Sequence, residues 1–347
     1  MKNRQMQFWR IVFTYVITYY HLNNAYGKTT SWYIGVEFFF IVSGFLLANK
    51  LLALKENGEL EEFTAWRYTW AKYRKFFPHC LFSFLVAFAI KGVYRGFGFR
   101  DWGREFLFHI PEIFLVQMSG LNYEPDYPIN SPTWYLSVML IVGYFIWLFM
   151  RNGAERYIEV VCPLSIFLIY PYLYRTYGFI GEHWEVNNFI LNSAILRGIA
   201  DMNLGVLACV FVRKFKLVGK IRMELVSDAC LLFGGILMPY LYYKSYYDYL
   251  FTFLIFVGVA AGFSGKEIKV KRFGGSLIDK WAMITPAIYL NHKVFRSLFV
   301  MQWPECNIWV YIVWFVFVTV YSIFTYWLVG KIVEIVKKHL PVGIEEV

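Results

Sequence analysis

Long apolar stretches separated by short polar segments recur along the whole chain. We count ten apolar runs of about 17 to 25 residues, and each is long enough as an α-helix to cross a hydrocarbon core of about 30 Å. The pattern therefore predicts an all-α, polytopic membrane helix bundle with about ten transmembrane helices and both termini in the cytoplasm. The runs cover approximately 8–24, 33–53, 76–94, 133–150, 158–174, 190–212, 225–242, 247–264, 281–300 and 308–331.

The composition agrees with a membrane protein. Of the 347 residues, 59% are hydrophobic and 22% aromatic, which is more apolar surface than one soluble core of this size buries. We see no repeat or Gly/Ser linker, and the longest predicted outer segment, 95–132, is too short for a second catalytic domain. We therefore predict one integral membrane domain over residues 1–347.

The net charge of +10 is compatible with two very different partners, nucleic acid and membrane. With both termini in the cytoplasm, the predicted inner segments hold 24 of the 34 basic residues, as the positive-inside rule requires. Membrane topology thus explains the charge, and we expect no nucleic-acid partner.

The cysteines and histidines do not form a recognisable metal or redox motif. The five cysteines lie in or beside apolar runs without paired spacing, and no HExxH pattern occurs. We predict neither a disulfide framework nor a metal site. The cysteines are Cys80, Cys162, Cys209, Cys230 and Cys306.

The first apolar run carries polar residues along one helical face. Arg10, Thr14, Thr18 and His21 follow the spacing i, i+4, i+8 and i+11, and the Arg and His Cα atoms would lie about 16 Å apart along the axis. Alone, Arg10 could extend to one membrane surface and His21 could lie at the other. Because ionisable groups at this depth usually face a cavity, the shared face favours a lined pathway.

The second run places a carboxylate at a depth comparable to that of His21. Glu37 lies about one turn from the predicted outer edge, where it could orient the imidazole and raise its basicity. Alternatively, Glu37 pairs with another basic group and is structural. Ser43 and Gly44 are small residues that allow helices to pack closely.

Basic residues cluster on the predicted cytoplasmic side, near Arg10. Arg67, Lys72, Arg74 and Lys75 could bind an anionic coenzyme, although the positive-inside rule explains the same residues equally well.

Three further residues are candidates for a supporting role. Arg197 has Asp201 one turn later, so an ion pair within one helix is the simpler expectation, and stabilisation of a reaction oxyanion is the alternative. His292 lies in the ninth run, which Lys293 and Arg296 also interrupt, and intramembrane histidines are usually functional. Trp134 could stack on a sugar or anchor a helix at the lipid interface.

Several of these segments together resemble the membrane-bound acyltransferase-3 family. They are "RIVFTYVITYYH" and "FFFIVSGFLL" in the first two runs, then "WYLSV", "RGIADMNLGVL" and "AIYLNHKVF", and the resemblance extends from about Met6 to Lys331. Two departures stand out. Met139 lies where the family usually has a Glu, and Lys72 and Lys75 replace an Arg-x-x-Arg pair, which would leave bidentate phosphate binding to Arg74.

The resemblance implies a membrane O-acyltransferase, mostly an O-acetyltransferase, in a bacterial inner membrane. An acyl group would pass from cytoplasmic acetyl-CoA, as a donor substrate and not a permanently bound cofactor, to a saccharide hydroxyl at the outer face. His21 would be catalytic, and Arg10 would help to hold the donor. The role of the family carboxylate that Met139 replaces would be absent or would pass to a residue such as Glu37, the candidate partner of His21.

Two other classes of protein remain as alternatives. A transporter or flippase for a glycan-related or lipid-linked substrate would also need intramembrane ionisable residues, but we see neither repeated halves nor interrupted helices in matching positions. A catalytically inactive relative is suggested by Met139, whereas the intact Arg10 and His21 argue against it. The sequence does not identify the acceptor, the acyl group or the oligomeric state.

Overall fold

The computed structural model describes residues 3–120, 128–182, 186–187, 191–215, 222–243, 247–264 and 275–339. Within them almost all regular structure is helical, apart from a short antiparallel pair, β1 (Val186–Asn187) with β2 (Leu191–Asn192). The α-helices are α1 (Arg4–Ala25), α2 (Gly35–Glu56), α3 (Ala65–Arg95), α4 (Phe99–Phe108), α5 (Ile110–Ile113), α6 (Thr133–Arg156), α7 (Cys162–Tyr177), α8 (Ser193–Lys214), α9 (Met223–Leu232), α10 (Met238–Leu241), α11 (Asp248–Ser264), α12 (Gly275–Asn291), α13 (Arg296–Gln302) and α14 (Ile308–His339).

Shorter helical turns join these elements. Two π-helical segments continue neighbouring α-helices, and three 3-10 turns lie in connections. They are Tyr157–Val161 and Phe233–Leu237, and Trp32–Ile34, Leu60–Glu62 and Gln117–Ser119, respectively. Of the basic residues assigned above to inner segments, Lys2, Lys216, Lys220, Lys266, Lys269, Lys271 and Arg272 lie outside the described residues.

The bundle has two ends, which we call the Arg10 end and the His21 end after these residues of α1. Helix α2 runs antiparallel to α1, because Phe13 stacks on Phe38 at 4.4 Å whereas the later Ile17 packs against the earlier Gly35. Helices α9 and α12 run in the same direction as α1. Both begin at the Arg10 end, where Asp228 accepts a hydrogen bond from Trp9 (2.7 Å) and Asp279 pairs with Arg4 (3.8 Å).

The segment 133–177 consists of two antiparallel helices. Helix α6 runs parallel to α8, since Val138 packs on Gly198 and Gly143 packs near Met202. Helix α7 runs the other way, since Ser165 accepts from Asn203 (2.7 Å) and the later Gly181 accepts from Arg197 (2.8 Å). The reversal follows Gly153, whose backbone (φ −172°, ψ 64°) leaves the helical region. The fourth and fifth apolar runs are thus separate helices, as predicted.

Close contact between α2 and α8 forms the centre of the bundle. A methyl group on Gly44 would overlap the carbonyl oxygen of Met202, and one on Gly205 would overlap that of Ile41. Glycine is therefore required at both positions for the two backbones to approach this closely, which agrees with the packing role expected for Gly44.

Six helical segments in the described part of the chain are long and apolar enough to cross a membrane. Helix α11 is equally apolar but shorter, and α1 and α12 carry more polar residues. The chain is thus all-helical in its main architecture and spans the membrane several times, while the number of ten spans remains a prediction. The six segments are Trp32–Glu56, Ala65–Arg95, Thr133–Tyr177, Ser193–Lys214, Met223–Leu241 and Ile308–His339.

The ninth apolar run is not one continuous helix, contrary to its predicted extent of 281–300. Helix α12 ends at Asn291, residues 292–295 form a turn, and α13 begins at Arg296. Side chains explain the stop: Asn291 accepts from Ser83 (2.7 Å) and donates to Thr325 (2.7 Å), while His292 Nδ1 bonds the Tyr289 carbonyl (2.6 Å). The His292 bond and the bond from Asn130 to the Leu290 carbonyl (3.0 Å) satisfy two carbonyls of the last helical turn.

Candidate functional site

The polar face of α1 connects the two ends of the bundle. Arg10 and Thr14 line cavities at the Arg10 end, and His21 lines a cavity at the other end. The hydroxyls of Thr14 and Thr18 donate to the carbonyls of Arg10 and Thr14, each at 2.9 Å. Thr18 is fully buried between the two ends. The predicted stripe therefore exists, but its threonine hydroxyls are already bonded to the helix itself.

Two adjoining cavities lie at the Arg10 end, and both are lined by Arg10 and Lys75. The larger, of about 380 Å³, is also lined by His79, Asp279 and Tyr326. The smaller, of about 170 Å³, reaches farther along α1. Its polar lining comes from Thr14, Lys72, Ser43, Tyr135, Thr285 and Tyr289.

The basic cluster that was predicted from the sequence is only partly assembled. Lys72 and Lys75 join Arg10 at the cavity walls, whereas Arg74 is exposed and lines neither cavity. The prediction that Arg74 supplies the bidentate guanidinium is not supported by this geometry. Arg10 is the guanidinium that faces these cavities.

Met139 lies in the wall of the smaller cavity, where the family usually has a carboxylate. Its sulfur is 3.8 Å from the Tyr135 hydroxyl, which also lies 3.0 Å from the Ser43 hydroxyl. Among the described residues that line this cavity there is no Asp or Glu. The local chemistry is therefore cationic and hydroxylic.

A third cavity, of about 570 Å³, opens at the His21 end, and we call it the His21 cavity. Its walls mix aromatic rings with polar groups from four parts of the chain. The polar side chains include His21, Asn24, Ser131, Glu182, Lys293 and Arg296.

His21 lies beside the second histidine that the sequence singled out. The ring centroids of His21 and His292 are 5.0 Å apart and the rings are nearly parallel, at 28°. Because a carbonyl can only accept, the bond to Tyr289 places the proton of neutral His292 on Nδ1. His292 is buried behind His21, and its Nε2 has no hydrogen-bond partner in the described structure.

Glu37 forms a buried bidentate pair with Arg197. Arg197 Nε and Nη2 donate to the two carboxylate oxygens at 2.9 and 2.8 Å, and both residues are at most 1% exposed. The expected pair between Arg197 and Asp201 within α8 is wrong. Asp201 instead accepts from Tyr170 (2.5 Å), because it faces α7 whereas Arg197 faces α2.

Further bonds fix the guanidinium of Arg197. It donates to the carbonyls of Gly181 (2.8 Å) and Tyr33 (3.1 Å). The Tyr33 hydroxyl in turn donates to Asp248 (2.6 Å), at the start of α11. The pair therefore ties together α2, α8, α11 and the chain after α7, and four of the five guanidinium N–H groups donate to these protein acceptors. This geometry favours a positioning role for Arg197 over direct contact with a reaction oxyanion.

Trp134 connects the buried pair to the cavity wall. Its ring lies 5.4 Å from the Arg197 guanidinium carbon and 5.9 Å from the Phe40 ring, and the residue is only 4% exposed. Trp134 also lines the His21 cavity. A ring this buried does not anchor a helix at a lipid interface, so stacking on a ligand is the better supported alternative.

Sequence reasoning did not assign Lys293, Arg296, Tyr33, Asp248 or Glu112 to a site. The two cations could have been found, because basic residues inside an apolar run are costly and usually face a cavity. Glu112 lies in the short helix α5, in a segment that the sequence pattern predicts as a connection between spans. Its carboxylate accepts from the backbone N–H groups of Ile129 and Asn130, each at 2.7 Å, and so holds the cavity wall.

The cavities described at the two ends have different linings. The smaller Arg10 cavity and the His21 cavity share no lining residue. Thr18 of α1 and His292, in the turn after α12, are at most 1% exposed and lie between them. The predicted polar stripe thus borders a described cavity near each of its ends.

The described residues do not bring together three His, Cys, Asp or Glu side chains as a metal site would require. The five cysteines are free thiols.

Comparison with known proteins gives one match. The model of a family described as an acyltransferase domain matches residues 3–331. No curated protein and no solved structure matches the chain.

Proposed function

Because the chain belongs to the acyltransferase-3 family and is a multi-pass membrane acyltransferase, we propose that it transfers an acyl group, in particular acetyl, from acyl-CoA to a saccharide hydroxyl. The observation that carries the proposal is the position of His21. It lines a polar cavity at one end of the helix whose other end presents Arg10 to a basic cavity.

The donor would bind at the Arg10 end. Arg10, Lys72 and Lys75 surround the two adjoining cavities, and these cations suit the phosphates of coenzyme A. The thioester arm would then follow α1 over the ~16 Å that separates Arg10 from His21. Entry past Thr18 and His292 would require these packed helices to move apart during the reaction.

The chemistry would take place at His21. A saccharide hydroxyl is almost fully protonated at neutral pH, so its attack on a thioester needs a base, and neutral imidazole suits this task. His21 would take that proton or would first accept the acyl group itself. Stacking against His292 would hold the ring in place, and the bond from Arg296 Nη1 to the His21 carbonyl (3.4 Å) would hold the backbone that carries it.

We assign the Arg10 end to the cytoplasm and the His21 end to the outer face of a bacterial inner membrane. Basic residues along α2, α3, α6 and α8 at the Arg10 end support this orientation by the positive-inside rule.

The test is acyl transfer from radiolabelled acetyl-CoA in membranes that contain equal amounts of each variant. We expect His21→Ala to lose at least about a hundredfold in rate, as removal of a general base does, and Arg10→Ala to raise the KM for acetyl-CoA. His339→Ala and Arg156→Ala change exposed residues of the same types and should retain the wild-type rate. Wild-type activity of His21→Ala would disprove the assignment of His21.

One observation favours the second candidate, a transporter or flippase. Helix α12 is interrupted at residues 292–295 beside the cavity, and broken helices line many transport sites. Vesicles that accumulate a labelled saccharide while transferring no acyl group would favour transport. Transfer without accumulation would favour the acyltransferase.

A further inference from the structure

We propose that the saccharide acceptor carries a negatively charged group, a phosphate or a carboxylate, which Lys293 and Arg296 bind in the His21 cavity. This inference rests on the proposed function, because it assigns that cavity to the acceptor. It adds the chemical class of the acceptor and the two residues that select it.

Both cations are placed at the cavity by the interruption of α12. Lys293 lies in the turn after His292, and Arg296 begins α13. Both side chains line the His21 cavity and are half-buried. The turn is held in place because Asn130 donates to the Leu290 carbonyl (3.0 Å) and Asn291 bonds two neighbouring helices.

Neither cation has a counterion in the part of the chain that the structure describes. Within the described residues, no carboxylate forms an ion pair with Lys293 or Arg296, and Arg296 donates to the His21 carbonyl. Glu182 also lines the cavity but pairs with neither of them. Arg197 differs from both, because this fully buried cation is neutralised by Glu37 at 2.7 Å.

Burying two cations that lack a counterion among the described residues raises the free energy of the folded protein. Removing a charge from water costs several kcal/mol unless an opposite charge or hydrogen bonds compensate. Both side chains line the cavity of about 570 Å³ that His21 also lines. An anion in that space would compensate both charges, with the Arg guanidinium binding it in two-point fashion and the Lys ammonium acting as a point charge.

The remaining wall suits the rest of a charged saccharide. Tyr20, Tyr33, Trp134 and Phe179 supply aromatic rings to the same cavity, and such rings pack well on the apolar faces of sugars. Because Arg296 contacts the backbone of His21 itself, an anion bound there would lie within about one sugar ring of the imidazole. A hydroxyl of the same sugar would then reach the catalytic base.

The coenzyme is the other source of phosphate, and the geometry argues against it. Its proposed site has its own cations, Arg10, Lys72 and Lys75, at the opposite end of the bundle. Thr18 and His292 separate the two sites. Lys293 and Arg296 are therefore available to a ligand that enters from the His21 end.

Binding of small sugars to the purified full-length protein in neutral phosphatidylcholine nanodiscs tests the inference without acyl-CoA. The probes are methyl glucoside, glucuronate and glucose 1-phosphate, and saturation-transfer NMR reports their affinities. We expect at least one acidic sugar to bind about tenfold more tightly than methyl glucoside, and the stronger of the two identifies carboxylate or phosphate. K293Q and R296Q should remove most of this preference, whereas K293R should retain it.

R95Q serves as the matched control, because Arg95 is an exposed cation at the same end and lines no described cavity. Equal binding of neutral and acidic sugars by the wild type would overturn the inference, and so would an unchanged preference in K293Q and R296Q. Inorganic phosphate that competes with glucose 1-phosphate in the wild type, but not in R296Q, would support it. Failure of the acyltransferase proposal would show separately, as absent acyl transfer with the acidic preference intact.

Discussion

At the residue scale, the pair of Glu37 and Arg197 is the feature on which the geometry of the site depends. Its members are 160 residues apart in the chain, and the pair fixes Trp134, Tyr33 and Gly181 around the His21 cavity. The guanidinium of Arg197 donates to Glu37 and to the carbonyls of Gly181 and Tyr33, and these bonds hold the protein structure together. The pair therefore builds part of the wall of the His21 cavity, which we propose as the acceptor site.

Removal of Glu37 alone should destabilise the protein strongly. Glu37→Met would leave the Arg197 charge buried without a counterion, which typically costs about 3–5 kcal/mol. The double variant with Arg197→Met should regain much of that loss, because both charges are then absent. Thermal unfolding in detergent measures the difference, and a double variant no more stable than Glu37→Met would contradict this account.

Individual residues also show which spatial relations between side chains can be predicted from the sequence and which cannot. Arg10 and His21 were predicted to share a helical face, because the helical repeat fixes their relation within one element. The partner of Arg197 was predicted wrongly, since a residue one turn away in the same helix competes with residues in other helices that sequence spacing does not place. Only the packing of α2 against α8 decides that Glu37 is nearer.

At the element scale, the glycine contact between α2 and α8 determines how closely the helices approach. Gly44→Ala would force a methyl group into the Met202 carbonyl, so that the helices must separate and the Glu37–Arg197 bonds must lengthen. We expect a loss of about 1–3 kcal/mol from this overpacking. Thermal unfolding and acyl transfer should both decrease.

Gly330→Ala is the matched control within a helix. A methyl group on Gly330 of α14 would meet no atom within 4 Å, and alanine favours the helix by about 0.5–1 kcal/mol. Equal stability of the two alanine variants would show that the α2–α8 contact tolerates expansion.

Helix limits were predictable to different degrees. Apolar length predicted α6 and α7 as separate helices correctly, because Gly153 and the charged residues around it interrupt the apolar run. The end of α12 at Asn291 was not predicted, since it depends on Ser83 and Thr325 of two other helices. A hydropathy average reports the free energy of transferring a whole segment into lipid. It does not show which side-chain hydrogen bonds end a helix.

At the scale of the whole molecule, the ends of the bundle differ in charge and in the cavities that they present. Our orientation places the loop after α2 in the cytoplasm and the start of α4 outside. A cysteine at exposed Phe99 should react with a membrane-impermeant maleimide in intact cells, whereas one at exposed Glu59 should react only after permeabilisation. The unmodified protein corrects for its native thiols, and the reverse pattern of labelling would invert the proposed orientation.

The buried residues in the middle of the bundle have a consequence for the cell that holds the protein. The described cavities lie at the two ends and share no lining residue, and Thr18 and His292 are buried between them. A continuous column of water along α1 would conduct protons and ions and so dissipate the membrane potential. Buried side chains between the two cavities would oppose such a column, so that a membrane acyltransferase with a cavity at each end need not make its membrane leak.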